Sequence, residues 1–223
     1  MPIPRPRRPR PRVLCFLLLA GMTGYAFAWI AVSLTILAMS TSARSAHGST
    51  VSVSGVHNFA HVDDRLWRGA APTADGYRRL AALGVRTVVD LRAEDLAPAE
   101  LRLPADAGLA VVRMPMRDGQ APTPGQVERF LAAVERTPGT VFVHCGAGVG
   151  RTGSMSAAYL VRTGQASAAD ATQRSLAVGP PTLEQVAFMR GLNGDRVSRP
   201  PAAVVALSRI ADSPRRSWAR LGF

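Results

Sequence analysis

Lysine is absent from this 223-residue chain: all 27 basic residues are arginine, set against 15 acidic ones, for a formal net charge of +12. We read the arginine monopoly as coding bias. Acids are missing from the first 44 positions, which carry six arginines, and only two fall in 190–223, which carry seven. Between these ends, residues 45–189 balance 14 arginines with 13 acids. The excess charge belongs to the ends, which argues against a continuous basic face for nucleic acid. Cysteine is scarce too, with Cys15 in an apolar run and Cys145 in a glycine-rich stretch. Two cysteines in such different surroundings make no disulfide framework. Nothing in the sequence implies a metal ion or cofactor.

One long stretch lacks charge altogether. Residues 1–12 form a basic, proline-rich arm, in which Pro4 to Arg12 are expected to be non-helical. Val13 to Met39 then runs 27 residues without a charged side chain. A bilayer core takes about 20 apolar helical residues, whereas the apolar region of a cleaved signal has about 7–15. Residues 13–39 are therefore read as a transmembrane signal anchor in contact with the lipid bilayer. Five arginines precede it and only Arg44 follows closely. Basic flanks stay cytoplasmic, so the expected topology is single-pass with the remainder of the chain outside. Translation starting at Met39 would instead give a cytosolic protein. Residues 40–56, rich in Ser and Gly, read as a flexible linker in either case.

A folded domain is expected over residues 57–193. Asn58 to Gly69 suggests a hairpin turning at Asp63-Asp64, with Arg65 to Arg68 as its second strand. Further strands are expected at Arg86–Leu91, Leu109–Pro115 and Thr140–His144. Helices are expected from Thr73 to Gly84, Pro124 to Arg136, Arg151 to Arg162, Ala168 to Ala177 and Thr182 to Leu192. Residues 95–107 are weakly helical and broken by Pro98 and Pro104. Strands alternating with helices predict an α/β fold, a central, mostly parallel sheet flanked by helices, preceded by the transmembrane helix. Residues 194–223 form a basic tail, mildly amphipathic from Ala202 to Ser213. It suits contact with anionic lipid or protein, and equally a solvated end.

The chemistry concentrates in HCGAGVGRTG, His144 to Gly153. A strand runs into Cys145, and a helix begins at Arg151. Ligands of open α/β sheets lie beyond the carboxyl ends of strands, where a helix N-terminus offers unpaired N–H groups. Gly146, Gly148 and Gly150, with Ala147 and Val149, form a loop whose backbone can curl around an oxyanion such as phosphate. Arg151 adds a planar fork for two oxygens, a geometry no lysine offers. A helix N-terminus beside a cation also favours the thiolate form of Cys145, the form that attacks phosphorus. Thr152 can donate to that sulfur. His144 is expected to order the loop through hydrogen bonds, because a thiolate needs no base.

His144-Cys145-x-x-Gly148-x-x-Arg151-Thr152 resembles the phosphate loop of the cysteine-dependent tyrosine and dual-specificity phosphatases, in the compact bacterial form. It departs in carrying Gly146 where tyrosine-specific members usually have Ser. The resemblance implies hydrolysis through a cysteinyl-phosphate and a general acid on an upstream loop, a part that Asp118 in PMRDGQAPT fills. The residues from Leu66 to Arg92 are similar to the opening of small bacterial and fungal members. Arg92 either points toward the pocket or pairs with Asp90 or Glu94. Pro181 to Met189 is similar to a late helix holding a water-positioning Gln; Gln185 is the candidate, with Pro181 at the usual first Gln position.

The expected substrate is a phosphorylated protein, chiefly phosphotyrosine and in a shallow pocket also phosphoserine or phosphothreonine. Phosphoinositide phosphatases of this type tend to carry loop lysines, and here those positions are Gly146 and Val149. Two other readings stay open. One is an inositol-phosphate or phosphoinositide phosphatase, favoured by the membrane segment and basic tail. The other is a non-catalytic phosphate-binding module.

Overall fold

The computed structural model describes residues 11–47, 51–194 and 196–212. The arm before Pro11 and the segment PRRSWARLGF lie outside the described residues.

A five-stranded mixed sheet organises the domain, in the order β1-β2-β5-β3-β4. β1 (Ala60–His61) and β2 (Leu66–Ala70) form the expected antiparallel hairpin. Asp63 fixes its turn by accepting the N–H groups of Arg65 and Leu66 at 2.9 and 2.7 Å. The remaining neighbours, β3 (Val85–Arg92), β4 (Ala110–Met116) and β5 (Thr140–Cys145), are parallel. Parallel pairing requires crossovers, which the intervening helices supply.

Alternation along β5 sorts the core. Val141, Val143 and Cys145 join the cluster containing Val127, Phe130, Met155 and Phe188, from α4 (Pro124–Arg136), α5 (Gly150–Arg162) and α7 (Leu183–Arg190). Phe142 joins Tyr77 and Leu80 of α2 (Ala74–Ala82) on the opposite face. The period of two therefore sends His144 and Cys145 to opposite faces of the sheet.

Several elements differ from expectation. Residues 95–107 do not break into fragments: α3 (Pro98–Asp106) is continuous. Pro98 opens its first turn, where no N–H is needed, and Pro104 lies buried within the helix. The strand at β5 extends one residue further, to Cys145. After α6 (Ala168–Val178), the tail segment forms α8 (Ala202–Ala211).

The largest difference is at the N-terminus. α1 (Pro11–His47) is one helix of 37 residues. It starts two residues before the expected span, with proline again in a tolerated first-turn position. It also continues through residues 40–47, where the sequence suggests a flexible linker. Tertiary contact is the cause: Ser40 and Ala43 are buried on α6, Ser40 Oγ donates to Leu176 O at 2.7 Å, and Arg44 Nε donates to Ala177 O at 3.3 Å. Further on, Val53 of that linker bridges Val56, itself buried in the core. The N-terminal part of α1 leaves Phe16, Leu17, Leu18, Leu19, Met22 and Phe27 exposed, and by length and composition the helix is able to cross a membrane.

Candidate functional site

β5 delivers Cys145, 2% exposed, to the carboxyl edge of the sheet, and α5 begins five residues later at Gly150. The intervening loop is turned inside out by its neighbours. Ala71 N–H donates to Gly146 O at 3.0 Å, Asn58 Nδ2 to Ala147 O at 2.9 Å, and Arg68 Nη2 to Gly148 O at 2.5 Å. With three carbonyls of the loop held outward, its N–H groups are left for another acceptor. No protein acceptor among the described residues takes the backbone N–H groups of Gly146 to Arg151. Such a nest suits an oxyanion. Gly148 has φ +73°, and a Cβ there would run into the backbone of Gly69 and Ala70 on β2. Only glycine fits this approach. Gly150 has no such φ, but a Cβ there would collide with the Gln185 side chain.

Arg151 is 3% exposed, and its donors are divided. Glu94 takes Nη1 at 2.9 Å and Nη2 at 2.7 Å, while Met116 O takes the other Nη1 hydrogen at 3.1 Å. Nε is closed to solvent and makes no hydrogen bond among the described residues. One edge of the guanidinium is thus bolted to Glu94, and the Nε–Nη2 edge, a fork of the shape that takes two oxygens, faces Asp118. Asp118 Oδ1 lies 3.3 Å from Nε, at that same edge, on a side chain 45% exposed. Burial works against the charge on Arg151, but the hydrogen bonds of Glu94 and the negative charges of Cys145, Asp118 and Glu94 together outweigh it and raise the pKa. Burial likewise opposes ionisation of Glu94, and its bonds to Arg151, the Arg151 charge and backbone N–H groups together prevail, holding the carboxyl below its usual range.

His144 is fully buried behind the loop. Its Nδ1 lies 3.2 Å from Cys145 O and its Nε2 3.1 Å from Tyr77 Oη. A carbonyl only accepts, so Nδ1 carries the proton and Tyr77 donates to Nε2. Burial lowers the His144 pKa to about 4, despite Asp90 at 4.0 Å. The ring is neutral at physiological pH, and its two contacts tie the end of β5 to Tyr77 of α2. Thr152 is completely buried on the first turn of α5, and its Oγ1 has no protein partner among the described residues.

The other two candidates are engaged elsewhere. Arg92 is buried and grips Asp90 through Nε and Nη2, both at 3.0 Å, and also pairs with Glu100. Of the two readings left open for it, the pairing with Asp90 is the one observed. Gln185 sits against Gly150, accepts Thr182 N–H at 3.0 Å and donates to Gln120 O at 3.2 Å. Together with Thr182 Oγ1 on Gly119 O at 2.8 Å and Glu184 Oε1 on Ala121 N–H at 3.0 Å, it ties the Asp118 loop to α7.

The residues that sequence reasoning did not assign to the site are Glu94, Arg68, Asn58 and Tyr77. Glu94 had one signal, an acid just past the carboxyl end of a strand. Arg68 had another, a charge inside a strand otherwise suited to burial. Asn58 and Tyr77 carried none. Among the described residues no cluster of three or more His, Cys, Asp or Glu is arranged to hold a metal ion.

Comparison with known proteins agrees with this geometry. Residues 47–191 match the family described as DSP-PTPase phosphatase fused to NAD+ Kinase. Dual specificity protein phosphatase CDC14C of Homo sapiens is 40% identical over 65 residues, 29% of this chain and 14% of that protein. Probable NAD kinase 2, chloroplastic, of Oryza sativa subsp. japonica is 33% identical over 97 residues, 40% of this chain and 10% of that protein. The chain thus spans well under a fifth of the length of these relatives. Among solved structures, P. aeruginosa TpbA aligns with a TM-score of 0.56 at 24% identity, covering 68% of this chain and 94% of that one. The core catalytic domain of the PP-IP phosphatase SIW14 from S. cerevisiae aligns at 0.55 and 18%, covering 74% and 96%. At these identities the structural likenesses speak for the fold.

Proposed function

The chain belongs to the DSP-PTPase phosphatase family whose description names fusion to NAD+ kinase, and on that premise we propose that it hydrolyses phosphotyrosine, and secondarily phosphoserine or phosphothreonine, in proteins. The observation that carries this reading is the cradle itself: three loop carbonyls are engaged by neighbouring residues, the loop N–H groups have no acceptor among the described residues, and Arg151, set between Glu94 and Asp118, lies within electrostatic reach of Cys145.

In this mechanism the Cys145 thiolate attacks phosphorus, the S–P bond forms and the ester P–O bond breaks. Asp118, on the exposed side of the cradle, gives its proton to the departing oxygen. It then takes a proton from water as that water attacks the cysteinyl-phosphate, and the thiolate leaves with inorganic phosphate released. Arg151 and the loop N–H groups bind the equatorial oxygens most strongly as charge spreads over them. The Thr152 hydroxyl, buried without a partner, is available to donate to the leaving sulfur.

Support for a phosphoprotein comes from the uncharged loop positions Gly146 and Val149, which offer no cation to a polyphosphorylated headgroup. One solved neighbour is a P. aeruginosa TpbA variant in complex with pTyr, and another is a PP-IP phosphatase. Turnover of phosphotyrosine peptides and inositol phosphates, measured side by side, tests the assignment. We expect the peptides to be preferred, with Cys145→Ser binding them without turnover. Preference for inositol phosphates would transfer the assignment to that class.

We further propose that the exposed, apolar part of α1 anchors the protein in a membrane with the preceding arginines inside. α8 leaves Leu207 and Ile210 exposed, and Ile210 O accepts the Tyr25 hydroxyl at 2.8 Å. A reporter fused to the C-terminus should read as extracytoplasmic; a cytoplasmic reading would reverse the orientation.

A further inference from the structure

A second basic cavity lies behind the phosphate loop, separate from Cys145, Asp118 and Arg151. Its volume is about 410 Å³, and its polar lining includes Arg44, His47, His61, Arg68, Ser156 and Arg174, with no carboxylate. Four parts of the chain build it: the end of α1, the β1 hairpin, α5 and α6. Two of its walls are polar groups buried without adequate partners. Arg68 is 4% exposed and spends Nη2 on Gly148 O, but its Nε has no acceptor. Ser156 is 2% exposed, and its Oγ has neither a donor nor an acceptor partner among the described residues. Native interiors rarely leave such groups unmet, because each forfeits its hydration without a replacement, and a charged one most of all.

Arg68 has no carboxylate partner among the described residues. Burial pulls its pKa down to about 10, and the charge that opposes this effect is Cys145. It is still a cation at neutral pH. Arg44 and Arg174 add two exposed cations at the rim. Arg174 shares one oxygen of Asp170 at 3.7 Å, with both side chains about half exposed, a pairing too solvated to cancel its charge.

We propose that this cavity is a second binding site for a small, multiply charged oxyanion of the phosphate or phosphate-ester class. The anion is held by the Arg44 and Arg174 guanidinium groups at the rim, with the Arg68 charge and the Ser156 side chain in the lining beneath it. The site does not depend on the catalytic reading. It is nevertheless linked to the loop through one side chain, since the Arg68 that faces it also holds Gly148 O. It also gives the docked end of α1 a purpose, because Arg44 reaches the cavity only when residues 40–47 are helical against α6.

Titration of inorganic phosphate into the full-length protein, followed by calorimetry at fixed chloride, tests this. The wild-type protein should show two saturable sites. Arg151→Met, which removes the fork at Cys145, should retain one of them. The double variant Arg44→Ala/Arg174→Ala, altered only at exposed positions and checked for folding by circular dichroism, should weaken that remaining site at least tenfold and leave the other intact. A single site abolished by Arg151→Met would overturn the proposal. So would unchanged binding in the double variant, or only unsaturable uptake spread over the arginine-rich surface.

Discussion

Replacing Glu94 with glutamine isolates how Arg151 is aimed. In the wild type, two charge-assisted bonds of 2.9 and 2.7 Å hold one edge of a guanidinium that is 3% exposed. Glu94→Gln keeps the shape, loses the charge and leaves a single acceptor. Breaking a fully buried ion pair costs about 3–5 kcal/mol, and an exposed one about 0–1. Glu94 is 46% exposed, so the loss falls between these limits, about 1.5–2.5 kcal/mol. At 1.36 kcal/mol per tenfold, that is roughly 10- to 70-fold in kcat/KM. The assay is steady-state hydrolysis of an aryl phosphate. Because Glu94 acts through Arg151, the same substitution in an Arg151→Met background should change kcat/KM by less than about twofold, the coupling a double-mutant cycle reads. A full effect in that background would refute the positioning role. A gain in kcat/KM for the single variant would refute it too, since it would mean that Glu94 competes with phosphate for the guanidinium.

Gly148→Ala forces a side chain into left-handed backbone at about 1–2 kcal/mol and pushes its Cβ into the backbone of β2. We expect a fall of several degrees in the thermal midpoint and loss of phosphate binding at the loop; a wild-type melting curve with full activity would contradict the fold of the loop. The pH dependence of stability should carry the signature of His144. Its folded pKa of about 4 is below the usual 6.5, so the unfolded chain binds the proton first. Stability is therefore full above pH 6.5 and falls as pH drops from 6.5 toward 4, by on the order of 3 kcal/mol. Replacing His144 with Asn should flatten denaturant midpoints across that window; an unchanged slope would locate the titrating group elsewhere.

Much of the candidate phosphate loop was legible because its parts are contiguous. His144, Cys145, Gly148, Arg151 and Thr152 lie within nine positions, and a strand running into a helix leaves few ways to arrange them. Asp118 was put forward through the family resemblance, as an acid on a loop after a strand, and the structure places its carboxylate 3.3 Å from Arg151 Nε. The helices were equally plain from their apolar spacing, and in the structure Thr73, Thr123 and Thr182 cap three of them. α1 past Met39 was not legible, because Ser, Thr and Ala there specify helix only when α6 covers Ser40 and Ala43.

The sequence by itself therefore determined where Cys145 and its glycine-rich loop stand, between a strand and a helix, and the alternation that makes the sheet. Tertiary structure decided which side chains complete them. Glu94 meets Arg151 across 57 positions, Arg68 reaches Gly148 across 80 and Asn58 reaches Ala147 across 89. These pairings follow from strand order: placing β5 between β2 and β3 puts Arg68 and Glu94 on either side of one loop. A local pattern can fix a dihedral angle or a face, but it carries no information about which distant strand lies next to it.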